Sequence, residues 1–210
     1  EFLERNARLY PNDVCLVEIN PEIKEDRRVT WKEYELIEPS PKTSYRREIT
    51  WSVFNEKANR FANLLLQRGI KKGDKVAILM MNGLEWLPIY FGVLKTGALA
   101  VPLNFRYSSD EIEYCVNLAE VDVLVFSNPF IGRVEEIADR ISKGRLLIYV
   151  GEGCPGFADD YNSLSANCSS QSPAIPLFED DDAAIYFSSG TTGFPKAILH
   201  KHKSLTHSCL

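Results

Sequence analysis

From Trp51 onward the chain alternates two hydrophobic rhythms. Trp51, Phe54, Ala58, Phe61 and Leu65 recur every three or four residues, which is one buried helix face, and Gly69 is placed to end that helix. Short aliphatic runs of strand type follow at Lys75–Met81, Ala98–Leu103, Asp122–Phe126 and Arg145–Val150. Between them lie three more helical stretches. The first, roughly 84–95, is apolar nearly all round and is therefore predicted to be buried; Asn82 is its expected cap, with Glu85 completing a capping-box-like pair and Gly97 following. The second opens at Ser108 with Glu111 and shows Ile112, Cys115, Val116 and Ala119 as its face. The third follows Pro129 and carries Ile131, Val134, Ile137, Ala138 and Ile141. Helices alternating with aliphatic strands predict an α/β fold with a doubly wound, largely parallel sheet.

The flanks are less regular. Phe2, Leu3 and Leu9 form one face of a short helix stopped by Pro11, and Val14–Val17 reads as a strand ended at Asn20-Pro21. Arg27-Arg28-Val29-Thr30-Trp31 is echoed by Arg46-Arg47-Glu48-Ile49-Thr50-Trp51, with Glu38-Pro39-Ser40-Pro41 between the copies. A duplication, a hairpin insertion and chance all produce such an echo, and two copies do not make a repeat architecture; a local β insertion on the surface is expected. Residues 151–178 are rich in Gly, Ser, Pro and Asn and read as a long surface connection. The acidic run 179–182 could coordinate a cation, but such a run before a strand is more simply a solvated face. The expected organisation is an entry segment at 1–50, βα repeats at 51–150, a connection at 151–182 and a hairpin with the start of a helix at 183–210, where Ser204 is the expected N-cap.

Composition narrows the setting. A chain of 210 residues buries a sizeable core as one large domain or two small ones. A net charge of −5 without a long basic run argues against nucleic acid or an anionic membrane as partner. No apolar run is long enough to span a membrane, and Glu1-Phe2-Leu3-Glu4-Arg5 is unlike a signal peptide. Five cysteines, odd in number and without paired metal spacing, fit a reducing cytoplasm.

The chemistry concentrates at residues 186–196, Tyr-Phe-Ser-Ser-Gly-Thr-Thr-Gly-Phe-Pro-Lys. Apolar runs on both sides, Ala183–Phe187 and Ala197–Leu199, predict two strands joined by this loop. Gly190 and Gly193 permit positive φ and close approach of a ligand to the backbone. Successive N–H groups in such a turn converge on an anion, Ser188, Ser189, Thr191 and Thr192 add hydroxyl donors, and Lys196 adds a mobile positive charge. Together these groups suit a polyphosphate. A Ser/Thr/Gly linker is the plain alternative, although linkers do not usually sit between apolar strands or end in Pro-Lys. The loop is not a Walker A sequence, because Phe194-Pro195-Lys196 follows Gly193. His200 and His202 alternate downstream, but two histidines without other ligands are a weak metal signal.

The same stretch resembles the signature loop of the adenylate-forming enzymes: acyl-CoA synthetases, aryl-CoA ligases, luciferases and peptide-synthetase adenylation domains. The resemblance extends along the whole chain. Ile49–Phe54 is similar to the family's first motif and Leu94–Asn104 to its second, whose Pro102-Leu103-Asn104 ending is nearer to acyl-CoA and aryl-CoA ligases. On the third motif, Ser188, Ser189, Gly190, Thr191, Thr192, Gly193 and Lys196 match the ATP-phosphate loop, and His202 falls where the family often has a histidine. Ala197 departs from the family's usual glycine. The resemblance implies ATP-dependent activation of a fatty or aromatic carboxylic acid to an acyl-adenylate, then thioester formation with coenzyme A, with Mg²⁺ as a further cofactor. Lys196 is the implied catalytic residue, and the metal ligands are unassigned. Members are more than twice as long, so the chain is expected to be an N-terminal fragment cut at Leu210, inactive without its C-terminal half. A non-catalytic nucleotide-binding module and a luciferase-like oxidoreductase are the alternatives on the same fold.

Overall fold

The structure, a computed structural model, describes residues 2–19, 46–141, 145–188 and 195–207. The chain divides into two compact units, 1–55 and 56–210. In the first, helix α1 (Phe2–Leu9) buries Leu3 and leaves Phe2 and Leu9 exposed. Strand β1 (Val14–Ile19) pairs antiparallel with β2 (Arg46–Thr50), with Ile19 opposite Arg46. The second copy of the arginine-rich echo is therefore a strand; the first copy and the Pro-rich segment lie outside the described residues. Across this ladder the Arg47 guanidinium donates to the Glu18 carboxylate at 3.2 Å.

Helix α2 (Trp51–Gln67) contains the unit boundary and buries Phe54, Ala58, Phe61 and Leu65, the face that its periodicity predicts. The second unit continues with β3 (Lys75–Leu79), α3 (Trp86–Thr96), β4 (Leu99–Pro102), α4 (Ser109–Leu118), β5 (Val123–Ser127), a 3₁₀ turn (Asn128–Phe130), α5 (Ile131–Ile141) and β6 (Leu146–Val150). It ends with β7 (Asp159–Asp160), α6 (Tyr161–Ala166), β8 (Asp182–Ser188), β9 (Lys196–Lys201) and α7 (His202–His207). The strands form one sheet in the order β7-β6-β5-β3-β4-β8-β9, parallel except for the antiparallel edge strand β9. Residues of α4 and α5 pack one sheet face, where Ile112, Val116, Val134 and Ile137 meet Leu79, Val101 and Phe126. On the other face Phe61, Leu65, Ile89 and Val93 meet Val76, Ile78, Ala100 and Val125. This is the doubly wound, largely parallel sheet that the alternating pattern predicts.

Three local expectations need correction. Helix α3 begins at Trp86, and Glu85 stands at its N-cap in αR conformation without a side-chain cap, so Asn82 does not cap it. The Glu85 carboxylate instead accepts from Lys57 Nζ at 2.6 Å and from the Tyr161 hydroxyl at 3.4 Å. Ser204 lies inside α7, which starts two residues earlier, at His202. The 151–178 stretch carries β7, which extends the sheet, and α6, capped by Asp160 accepting from Ser163 N at 2.8 Å. The Ser108–Glu111 capping box, by contrast, forms in both directions.

Beyond α6 the chain is clamped to α2. Asn59 Nδ2 donates to Ser170 O at 2.8 Å, and Asn63 Nδ2 donates to Ser169 O and Gln171 O at 2.8 Å each. Arg60 Nη1 donates to Ala166 O at 3.2 Å and Cys168 O at 2.6 Å. Three polar side chains of one helix thus satisfy carbonyls at the end of α6 and in the irregular segment after it, where backbone acceptors otherwise need water. Among the described residues no helix is long and apolar enough to cross a membrane.

Candidate functional site

Strand β8 runs parallel to β4, with Ala184 beside Ala100, so Ser188 lies at the carboxyl edge of the parallel strands. Open α/β sheets bind ligands at that edge. The β8–β9 ladder pairs Ser188 with Lys196, Tyr186 with Ile198 and Ala184 with His200 on one face, and Phe187 with Ala197 and Ile185 with Leu199 on the other. The strand–loop–strand expectation is thereby met, and the two ends of the loop are held opposite each other. Pro195 is buried while Lys196 is exposed. Ser189, Gly190, Thr191, Thr192 and Gly193 lie outside the described residues. A hydroxyl and an ammonium group on one face at this edge can hold an anionic ligand.

His202 is elsewhere. The ladder runs back from Ser188–Lys196 to Asp182–Lys201, and His202 follows Lys201 at the opposite end of the hairpin. At ~3.3 Å per residue that separation is about 20 Å. The structure therefore brings Ser188 and Lys196 together and leaves His202 out. Its backbone N–H donates to the Asp181 carbonyl at 3.1 Å, and its Nε2 is buried without a hydrogen-bond partner among the described residues. Burial pulls the imidazole below its ordinary range, partly opposed by the Asp181 carboxylate. The acidic run before β8 is not simply solvated: Asp181 accepts from Lys72 Nζ at 2.5 Å and Phe178 N at 2.8 Å, and Asp180 pairs with Lys203. The Lys72 hydrogen bond holds the Asp181 carboxyl below the usual carboxylate range. Among the described residues no group of three or more His, Cys, Asp or Glu could hold a metal.

A shallow depression of about 350 Å³ lies beside β8 and β9, lined by Leu99, Ile185, Ala197 and Leu199 among others. It belongs to the face opposite Ser188 and Lys196 and is not part of the anion-binding arrangement. Sequence reasoning passes over Tyr90 and Tyr186, whose hydroxyls meet at 2.8 Å between α3 and β8. The signal available is general: a tyrosine in a largely buried element needs a partner for its hydroxyl.

A family model described as AMP-binding enzyme matches residues 39–210. The chain belongs to this family. Long-chain-fatty-acid–CoA ligase FadD13 of Mycobacterium tuberculosis (strain ATCC 25618 / H37Rv) is 32% identical over 166 residues, which are 79% of this chain and 31% of that protein. Crotonobetaine/carnitine–CoA ligase of Salmonella enteritidis PT4 (strain P125109) is 36% identical over 165 residues, 76% of this chain and 32% of that protein. Among solved AMP-binding structures, the anthranilate CoA ligase AuaEII in complex with anthranoyl-AMP superposes with a TM-score of 0.81 at 26% identity, covering 98% of this chain and 35% of that one. The chain spans about a third of the length of the curated relatives it matches.

Proposed function

We propose that this chain acts as the N-terminal part of an ATP-dependent acid–CoA ligase, in which Ser188 and Lys196 flank the loop that holds the nucleotide's phosphates. Ser189, Gly190, Thr191, Thr192 and Gly193 supply the remaining hydroxyl and backbone donors. The carrying observation is the pairing of Ser188 with Lys196 at the carboxyl edge of the sheet, within the stretch that the AMP-binding family model matches. His202, at the hairpin's far end, has no part in the proposed site.

In the proposed reaction a substrate carboxylate oxygen attacks the α-phosphorus of ATP, and the bond to the departing pyrophosphate breaks. Negative charge grows on that leaving group, and the Lys196 ammonium with the loop's donors stabilises it more in the transition state than in the ground state. The thiol of coenzyme A then displaces AMP from the acyl-adenylate, giving the thioester. Mg²⁺, where bound, would neutralise phosphate charge; the described residues provide no cluster for it. The acid is of fatty or aromatic type, in keeping with the fatty-acid ligase and the anthranilate ligase that the chain resembles. The described cysteines, Cys15, Cys115, Cys154 and Cys168, are all free, which supports a reducing, cytoplasmic setting.

The test is acid-dependent exchange of labelled pyrophosphate into ATP, run on the full-length protein with a panel of fatty and aromatic acids. Exchange that requires one of these acids is expected, and none from the 210-residue chain alone. Absence of exchange with every acid in the panel would overturn the ligase assignment.

A further inference from the structure

The loop-bearing end of the hairpin outruns its neighbour. Strand β4 ends at Pro102, which the Ala100–Ala184 register places level with Tyr186, so Phe187 and Ser188 continue beyond it. On the far side β9 is an edge strand, with Ile198 and Leu199 exposed. What steadies this end must come from side chains. On one face Ile185 and Phe187 pack against the core under α4 and α5. On the face shared by Ser188 and Lys196 a chain of aromatic contacts runs back to α3. Trp86 and Tyr90 stack with centroids 5.5 Å apart, the Tyr90 and Tyr186 hydroxyls meet at 2.8 Å, and the Tyr186 ring meets His200 of β9 edge-on at 5.1 Å. Both strands of the hairpin are thus tied to one buried helix.

We infer that Tyr90 and Tyr186 are positioning residues for the nucleotide site. Their hydroxyl–hydroxyl bond fixes the hairpin against α3, and through it the placement of Ser188 and Lys196. The inference rests on the proposed nucleotide role of that pair. Tyr186 lies two positions before Ser188 on the same strand face, so a change in its seat is passed directly to Ser188 and, across the ladder, to Lys196. The ring contacts alone set the packing; the hydroxyl bond adds direction, because it is satisfied only at one separation and angle.

Tyr90→Phe, Tyr186→Phe and the double variant keep every ring and remove only the bond. In the full-length enzyme, ATP KM is expected to rise about threefold to tenfold in each single variant, the range of a lost hydrogen bond. The acid KM should stay unchanged. The double variant should match the singles rather than multiply them, because the first deletion already removes the shared bond. Unchanged ATP KM in all three, or effects that multiply, would overturn the inference, as would a lowered melting midpoint with unaltered kinetics. Lys196→Ala, measured alongside, separates the two levels. A damaged Lys196→Ala with unaffected tyrosine variants removes the positioning role alone. An undamaged Lys196→Ala removes the nucleotide assignment and the positioning role with it.

Discussion

Ser188 and Lys196 are register partners in the last rung of the β8–β9 ladder, so the residues that open and close the signature loop start from one face of the sheet. The loop's two ends are thereby fixed by backbone hydrogen bonds and not by the loop's own sequence.

Lys196→Ala in the full-length enzyme is expected to slow adenylation about tenfold to a hundredfold while ATP binding falls less. A charge-assisted hydrogen bond contributes roughly 1.5–3 kcal/mol, and this one strengthens as charge grows on the leaving group. Stopped-flow adenylation rates beside calorimetric ATP affinities check it. Equal losses in both would mean that Lys196 acts in binding only.

Gly92 sits where α3 crosses α2. A Cβ added there would stand 2.9 Å from both Ala58 O and Phe61 Cδ1, and the first of these is backbone that moves only with α2. Gly92→Ala is expected to destabilise by about 1–3 kcal/mol, as overpacking does. Gly132→Ala on α5 meets nothing within 4 Å and should be neutral or slightly stabilising. Urea midpoints of the two variants make the comparison.

The His202 imidazole titrates below its ordinary range because it is buried. Its folded pKa therefore lies below the unfolded value of about 6.5, and in the window between them the unfolded chain binds more protons. Stability should fall as pH drops through that window and level off below the folded pKa. Asp181 beside it loses its own contribution only at lower pH, where carboxylates protonate. Urea titrations at pH 7.5 and pH 5.5 should show a smaller difference for His202→Gln than for the wild type.

Asn59 is 2% exposed and holds Ser170 O through its Nδ2. Asn59→Ala is expected to cost about 1–3 kcal/mol, since it leaves a carbonyl without its partner. Proteolysis should then begin between residues 166 and 171, which mass spectrometry of the fragments would locate. Unaltered cleavage would mean that Arg60 and Asn63 suffice.

The sheet and its helices were legible because their signal is repeated. Phe54, Ala58, Phe61 and Leu65 declare a helix together, and each aliphatic run between helices declares a strand. Strand β7 has two residues, both aspartates, and α6 has six mostly polar ones, so neither carries a period to read. The placing of His202 needed the length and register of β9, which the loop sequence does not contain. Tyr90 was hidden by its surroundings: in a helix apolar nearly all round, one more aromatic ring reads as core, and its hydroxyl gains meaning only when β8 supplies Tyr186.

The clamp on α2 also bears on how the chain is made. Asn59, Arg60 and Asn63 leave the ribosome 106 to 111 residues ahead of the carbonyls they bind. Until then water must satisfy them, and β3 to β7 are synthesised in the interval. Contacts so distant in sequence form late, after nearer ones have drawn the ends together. The clamp is in that sense a latch on assembly: it can close only when the strands between its two halves have taken their order, and it then fastens the beginning of the unit to the end of its first five strands.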